Sequence, residues 1–205
     1  VMATLIAIPW ALWTASKANR PPDKLSTVAT FFIVALPPFA MGVILKYVLS
    51  IKLGWFPQRY VADSSTLDKL HQMFLPALTI ALPAAAVYQR LLRTDLITTL
   101  QEDFILMARS KGVSRRAILF RHALRPSLFS FVTVFALNTG ALIGGALIVE
   151  QIFIIPGLGS AVVEAVVRED FPVVLAIVMI VAITFVVVNL LIDMLYSVID
   201  PRVRR

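Results

Sequence analysis

The chain has 205 residues, of which 59% are hydrophobic and only 15% charged, and its mean hydropathy is +0.87. A soluble domain of this length cannot hide so much apolar surface in one core, so the composition excludes an ordinary soluble protein and predicts a membrane protein. The absence of cysteine removes disulfides and thiolate metal sites, and in a membrane chain the net charge of +7 is a matter of topology and not a sign of a nucleic-acid partner.

Crossing about 30 Å of hydrocarbon takes about 20 helical residues. The opening "VMATLIAIPWALWTA" predicts an apolar helix over about 1–14, roughly half a comfortable span, and it is expected to be the end of a helix whose beginning is missing. A short signal peptide is the alternative; the positive charges follow the apolar stretch here instead of preceding it. Full spans are predicted at 26–50, 73–93, 126–149 and 171–196. Several carry helix breakers: Pro37 and Pro38, then Pro76 and Pro83, then Asn138, Gly140, Gly144 and Gly145. Backbone groups freed by such breaks need partners from neighbouring helices or water, which favours a bundle around a pathway. "GALIG" at 140–144 is a small-xxx-small pattern that serves helix packing as readily as a pathway lining. The expected fold is therefore all-α, a polytopic transmembrane helix bundle forming one domain over 1–205.

With five segments, the stretches 15–25, 94–125 and 197–205 share one side and collect fourteen Lys/Arg with their helix ends, against five for 51–72 and 150–170. The positive-inside rule puts 94–125 and the C-terminus in the cytoplasm and 51–72 and 150–170 outside. Within 94–125, Thr99 and Glu102 have capping-box spacing, Gly112 is a natural helix stop, and Leu100, Phe104, Met107 and Ala108 share a face. After Gly112, Ser114 is a candidate N-cap, and Val113, Ala117, Phe120 and Leu124 form an apolar stripe. Arg115, Arg116, His122 and Arg125 fall mainly elsewhere on the circumference. A topology signal needs charge, but it does not need two amphipathic helices joined at a defined bend.

"DFILMARSKGVSRRAILFRHALRP" resembles the cytoplasmic signature loop of binding-protein-dependent ABC importer permeases, whose form is Glu-Ala-Ala, three residues, Gly, nine residues, Ile, two residues, Leu-Pro. Aligned on Gly112, Ala108 and Pro126 match, while Leu106, Met107, His122 and Arg125 depart in the manner of the dipeptide, oligopeptide and nickel subfamily. "IKLGWFPQRY" at 51–60, "VEQIFIIPGLGSAVVEAVVREDFPVV" at 149–174 and "NLLIDMLYSVIDPRVR" at 189–204 extend the resemblance, the last two to the B-type permease subunit. The resemblance implies a type I importer permease, truncated at its N-terminus, in a bacterial inner or plasma membrane. It implies a pathway shared with a second permease, usually a C-type paralogue, two cytoplasmic ABC ATPase subunits and an extracytoplasmic substrate-binding protein, with membrane lipid around them. Coupling to the ATPase is then expected from Ala108, Lys111, Gly112, Arg115, Arg116, Phe120, His122 and Pro126. The expected cargo is di- or oligopeptides, with nickel chelates or another small solute as the alternative.

The residues agree that the chain itself does no chemistry. No glycine is followed by Lys, so a Walker A loop is absent, and neither His-Glu-x-x-His nor Gly-x-Ser-x-Gly occurs. His71 and His122 are the only histidines and fall on opposite sides, so no catalytic residue, metal site or cofactor is expected. A secondary transporter or channel would work without ATPase partners, and a membrane-embedded enzyme would need a convergent set that Asp193 alone does not make. Asp193 is expected to pair with a neighbouring helix or arginine, with proton coupling as the alternative.

The outer stretch 150–170 combines an irregular turn at Pro156, Gly157 and Gly159 with a short helix carrying Ala161, Val162, Ala165 and Val166 on one side and Glu164 opposite. Glu164, Glu169 and Asp170 form an acidic rim that a solvated loop also explains. The segment is expected to fold back over the pathway as an outer gate, with Phe153 and Ile155 as apolar closure and Asn138, Gly140 and Gly144 along the pathway. A purely structural cap on the helix ends is the alternative.

Overall fold

The apolar runs become helices, and the prolines and glycines decide where they stop. The computed structural model describes residues 1–199, giving the helical path alone at 136–137, 139–145, 192–193 and 195–199. Among the described residues all regular structure is helical. Two compact units divide it, one built on 1–35 and 82–135, the other on 36–81 and 136–195.

In the first unit, α1 (Met2–Ser16) buries Ala3, Ala7, Ala11 and Ala15 at four-residue spacing. A stripe of small side chains lets a neighbouring helix approach closely. α2 (Pro21–Ala35) starts on prolines, which suit a first helical turn because their missing N–H has no helical partner there. The later half of α4 (Thr66–Thr99) buries Ala85, Ala86, Tyr88, Leu92 and Leu96. The Tyr88 ring meets Phe131 edge-on at 5.5 Å. Polar links join the helices: Gln89 Nε2 donates to Thr14 Oγ1 at 2.9 Å in a buried bond, and Trp10 Nε1 to Ser26 Oγ at 2.7 Å in a half-buried one. Arg93 holds Asp23 in a two-pronged ion pair at 2.5 and 2.6 Å, and the Asn19 N–H donates a third bond at 2.8 Å. Asp23 is 2% exposed, so removing Arg93 strands a buried carboxylate, at a cost of about 3–5 kcal/mol.

In the second unit, α3 (Pro38–Leu45) begins where Pro37 and Pro38 end the preceding run, and the chain continues as a π-helix over Lys46–Lys52. The later half of α7 (Leu124–Phe153) joins this unit, with α8 (Leu158–Val167) and α9 (Phe171–Ile199). The core is Leu75, Val149 and Phe153, packed with Leu45, Leu49, Phe56 and Ile152. Over Phe171–Leu191, α9 leaves most of its apolar side chains exposed, as a helix bathed in lipid does.

Among the described residues, Thr66–Thr99 and Phe171–Leu191 are long and apolar enough to cross a membrane, and two bent helix pairs raise that to as many as four spans. The helices differ in extent from the runs predicted by hydropathy. The run 26–50 starts earlier, at Pro21, and breaks before Pro38. The run 73–93 widens to Thr66–Thr99, taking 94–99 from the expected loop into the helix. There the hydroxyls of Thr94 and Thr98 bond back to the carbonyls of Arg90 and Thr94, so the helix carries polar residues beyond its apolar stretch. The run 126–149 widens to Leu124–Phe153, and 171–196 to Phe171–Ile199.

Candidate functional site

Two turns carry the sequence's candidate residues, one in each unit. The first follows α5 (Asp103–Ser110). Gly112 sits at φ 75, a left-handed conformation that glycine adopts without strain. Its N–H donates to Arg109 O at 3.0 Å, and the Val113 N–H to Ala108 O at 3.1 Å. This is a Schellman termination, and Val113 supplies the apolar contact that goes with it by packing on Ile105, Ala108 and Ile118. Ser114 then caps α6 (Arg115–Ala117), its Oγ accepting from the Ala117 N–H at 3.3 Å. A π-helical stretch, Ile118–Ala123, leads into α7.

The expected capping box does not form. Thr99 is still inside α4 and its hydroxyl bonds Ser127 Oγ at 3.2 Å, while Glu102 precedes α5 in an extended conformation with no side-chain cap. The expected stripes also divide. Leu100, Ala108 and Val113 turn inward with Ile105 and Ile118, whereas Phe104, Met107 and Phe120 stand 43%, 61% and 57% exposed. The cause in the second stripe is the winding, because a π-helix rotates less per residue than the 3.6 period assumes. Of the predicted coupling residues, Ala108 is buried and His122 half-buried, while Lys111, Gly112, Arg115, Arg116, Phe120 and Pro126 are exposed. Arg115 does not point away from the chain: its Nη2 donates to Ser16 O at the end of α1, at 3.2 Å. A groove of about 1140 Å³ opens there, rimmed by Arg109, Arg115 and Arg116.

The second turn joins α7 to α8 through a bend of 81°. α7 ends with Ile154 at φ 54, a region β-branched residues rarely enter, and the Ile155 N–H donates to Glu150 O at 2.9 Å. α8 then starts at Gly157, which has no side chain to cap it. The Glu150 carboxylate does that work from seven residues upstream: Oε2 accepts from the Gly159 N–H at 2.7 Å and the Ser160 N–H at 3.2 Å. Ser160 Oγ accepts the Gly157 N–H at 2.9 Å, supplying the returning half of a capping box. The two glycines are there for space. A Cβ on Gly157 would collide with the Glu150 carboxyl group, and one on Gly159 would lie 2.7 Å from Leu147 Cα.

Lys46 closes the other side of this turn, its Nζ donating to Ile152 O at 2.5 Å with the Phe153 ring 5.6 Å away. A cation on the last carbonyls of a helix also opposes the negative end of its dipole. Phe153 is buried in the unit's core and Ile155 half-buried against it. Pro156 is exposed, Gly157 half-buried, Gly159 buried, and Asn138 half-buried on α7. Gly140, Gly144 and Asp193 lie where only the helical path is given, outside the described residues. The sequence singled out neither Glu150 nor Asp23. A helix start on Gly157 with no side-chain cap was the one available signal for Glu150. Among the described residues no cluster of three potential metal ligands occurs.

The apolar helices, the basic helix-turn-helix and the short helix folded back after an 81° bend have counterparts. Residues 7–205 match the family described as "Binding-protein-dependent transport system inner membrane component". The chain belongs to that family and is a helical membrane protein. It is 38% identical over 207 residues to the oligopeptide transport system permease protein AppB of Bacillus subtilis, covering 99% of this chain and 66% of that protein. It is 35% identical over 204 residues to the glutathione transport system permease protein GsiC of Escherichia coli K12, covering 100% of this chain and 65% of that protein. The chain thus spans just under two thirds of the length of these relatives.

Proposed function

We propose that this chain forms the greater part of a permease subunit of an ATP-driven importer that carries di- or oligopeptides across a bacterial inner membrane. The subunit crosses the membrane several times with its C-terminus in the cytoplasm. It lines the pathway with a second permease, a C-type paralogue, receives cargo from an extracytoplasmic binding protein and is driven by two ABC ATPase subunits that carry out all ATP hydrolysis. The observation that carries this reading is the construction of 103–123. The helix-turn-helix keeps a small core of its own, Ile105, Ala108 and Ile118, and presents Phe104, Met107 and Phe120 outward. A rigid element with an exposed apolar surface and a cationic margin suits a groove on a soluble partner, and moves with that partner as one body.

The outer turn, with Phe153, Pro156, Gly157 and Gly159, serves as a gate or cap on the pathway past Asn138, Gly140 and Gly144. Peptides are preferred to nickel chelates because one relative is named for oligopeptides and the other for glutathione, itself a small peptide. Uptake of a labelled peptide into vesicles holding the full-length chain and its partners tests the reading. ATP-dependent uptake that vanishes when the ATPase subunits are left out is expected. Uptake that persists without them makes the protein a secondary transporter or channel. Single cysteines at Ser114 and Ser160 test the topology, since the chain has no other cysteine. An impermeant maleimide must reach position 160 from outside and position 114 only after permeabilisation.

A further inference from the structure

The groove at the end of α1 is amphipathic along one direction. Ile8, Leu12 and Trp13 supply an α1 wall, and Leu119 and Leu124 face it. From Ile8 to Ser16 the helix rises about 12 Å. Arg115 bonds Ser16 O at one end of this wall, and Arg109 and Arg116 also line the groove. Lys17 follows Ser16 in the chain and holds its Nζ 4.9 Å from the centre of the Trp13 ring. Among the described residues the ion pairs are Arg93 with Asp23 and Arg168 with Glu164, and none of them involves a rim arginine.

We infer that this groove binds one anionic phospholipid, with its phosphate among Arg109, Arg115 and Arg116 and an acyl chain along Ile8 and Leu12. Charge complementarity selects the occupant. A basic pocket at the cytoplasmic edge of a membrane helix matches the anionic lipids of that leaflet, and guanidinium groups bond phosphate oxygens in pairs. Position selects lipid over a protein segment. Ile8, Leu12 and Trp13 lie on an apolar helix of a membrane protein, where acyl chains are at hand. Trp13, 45% exposed in the groove wall, sits as aromatic residues do at a membrane interface. The lipid then ties the end of α1 to the basic helix-turn-helix, so the surface proposed to meet the ATPase is seated partly on lipid.

The inference rests on the cytoplasmic placement of 94–125 proposed above, and its test is chosen to be independent of it. The full-length chain with its partner subunits is reconstituted in zwitterionic vesicles that carry, in both leaflets, either dibromo-phosphatidylglycerol or dibromo-phosphatidylcholine. Bromines on the acyl chains quench nearby tryptophan, and the Trp13 contribution is the difference between the unmodified protein and Trp13→Phe. The brominated phosphatidylglycerol is expected to quench Trp13 at a lower fraction than the phosphatidylcholine. The double variant Arg115→Gln with Arg116→Gln is expected to remove that preference, raising the phosphatidylglycerol fraction needed roughly thirtyfold. Arg121→Gln, outside the groove, keeps it. If the double variant does not assemble, Arg109→Gln takes its place, and the two lipids compared on the unmodified protein decide the matter alone. Equal quenching by both lipids, or a preference that survives loss of the rim arginines, overturns the inference. So does the absence of quenching by either lipid, which would mean that another subunit or a further segment of the chain fills the groove. Because both leaflets carry the probe, failure here says nothing against the topology, which the Ser114 and Ser160 labelling judges separately.

Discussion

The turns at 110–114 and 153–160 do the same job, ending one helix and starting a short one, with opposite means. The first is local. Gly112 takes the left-handed position, two backbone bonds close the end of α5, and Ser114 caps α6. Its surface side chains are left free to meet something else. The second turn is built from side chains. A carboxylate seven residues upstream caps α8, a lysine from another helix holds the end of α7, and Ile154 takes the strained position that glycine fills in the first turn. A turn closed by its backbone tolerates surface change. A turn closed by a half-buried carboxylate depends on the atoms packed around it.

That contrast can be broken at single residues. The largest effect is expected from Gly159→Val, whose Cβ would meet the backbone of Leu147, an atom that cannot swing aside. Overpacking of this kind costs about 2–3 kcal/mol, and the thermal midpoint of the purified full-length protein should fall accordingly. Glu150→Ala leaves the N–H groups of Gly159 and Ser160 without their acceptor, a loss of about 1–2 kcal/mol that hydrogen exchange at those two amides should report as faster opening. Glu150→Gln keeps an acceptor oxygen and should exchange more slowly than the alanine variant. If all three proteins exchange alike at 159 and 160, the carboxylate is not the cap.

At the local turn, Gly112→Ala places a Cβ in the left-handed region with open space around it, so strain alone acts, at about 1 kcal/mol. Faster exchange should be confined to amides 112–118. The smallest change, of opposite sign, is expected from Ile154→Gly. It relieves the left-handed strain at an exposed side chain and gains at most about 1 kcal/mol after glycine's own entropy is set against it. A lower thermal midpoint for Ile154→Gly would show that the isoleucine contributes more by packing than its backbone costs.

Local chemistry was legible in the sequence, and distance was what hid the rest. Apolar runs located the helices because hydropathy acts residue by residue, and Gly112 and Ser114 stood out because a helix stop and an N-cap are readable within a few positions. The Thr99 and Glu102 pattern misled because the long helix runs on through Thr99 and its hydroxyl finds Ser127 instead. Phe120 parts from the stripe it was expected to share with Val113 and Ala117 because a π-helix cannot be told from an α-helix by apolar spacing. Asp23 meets Arg93 across 70 positions, a pairing that no local pattern announces. Glu150 stood at the start of the stretch 150–170, but its role depends on a bend that folds the chain back onto it.

Coupling through the local turn is tested most directly by Phe120→Asp in the reconstituted importer, with peptide-stimulated ATP hydrolysis and peptide uptake measured together. The side chain is 57% exposed, so the substitution leaves the small core of Ile105, Ala108 and Ile118 in place while putting a charge on the outward apolar surface. The expected result is an unchanged amount of protein in the membrane, with both stimulation and uptake lost. Stimulation and uptake equal to those of the unmodified importer would contradict coupling and leave the basic stretch as a topology signal.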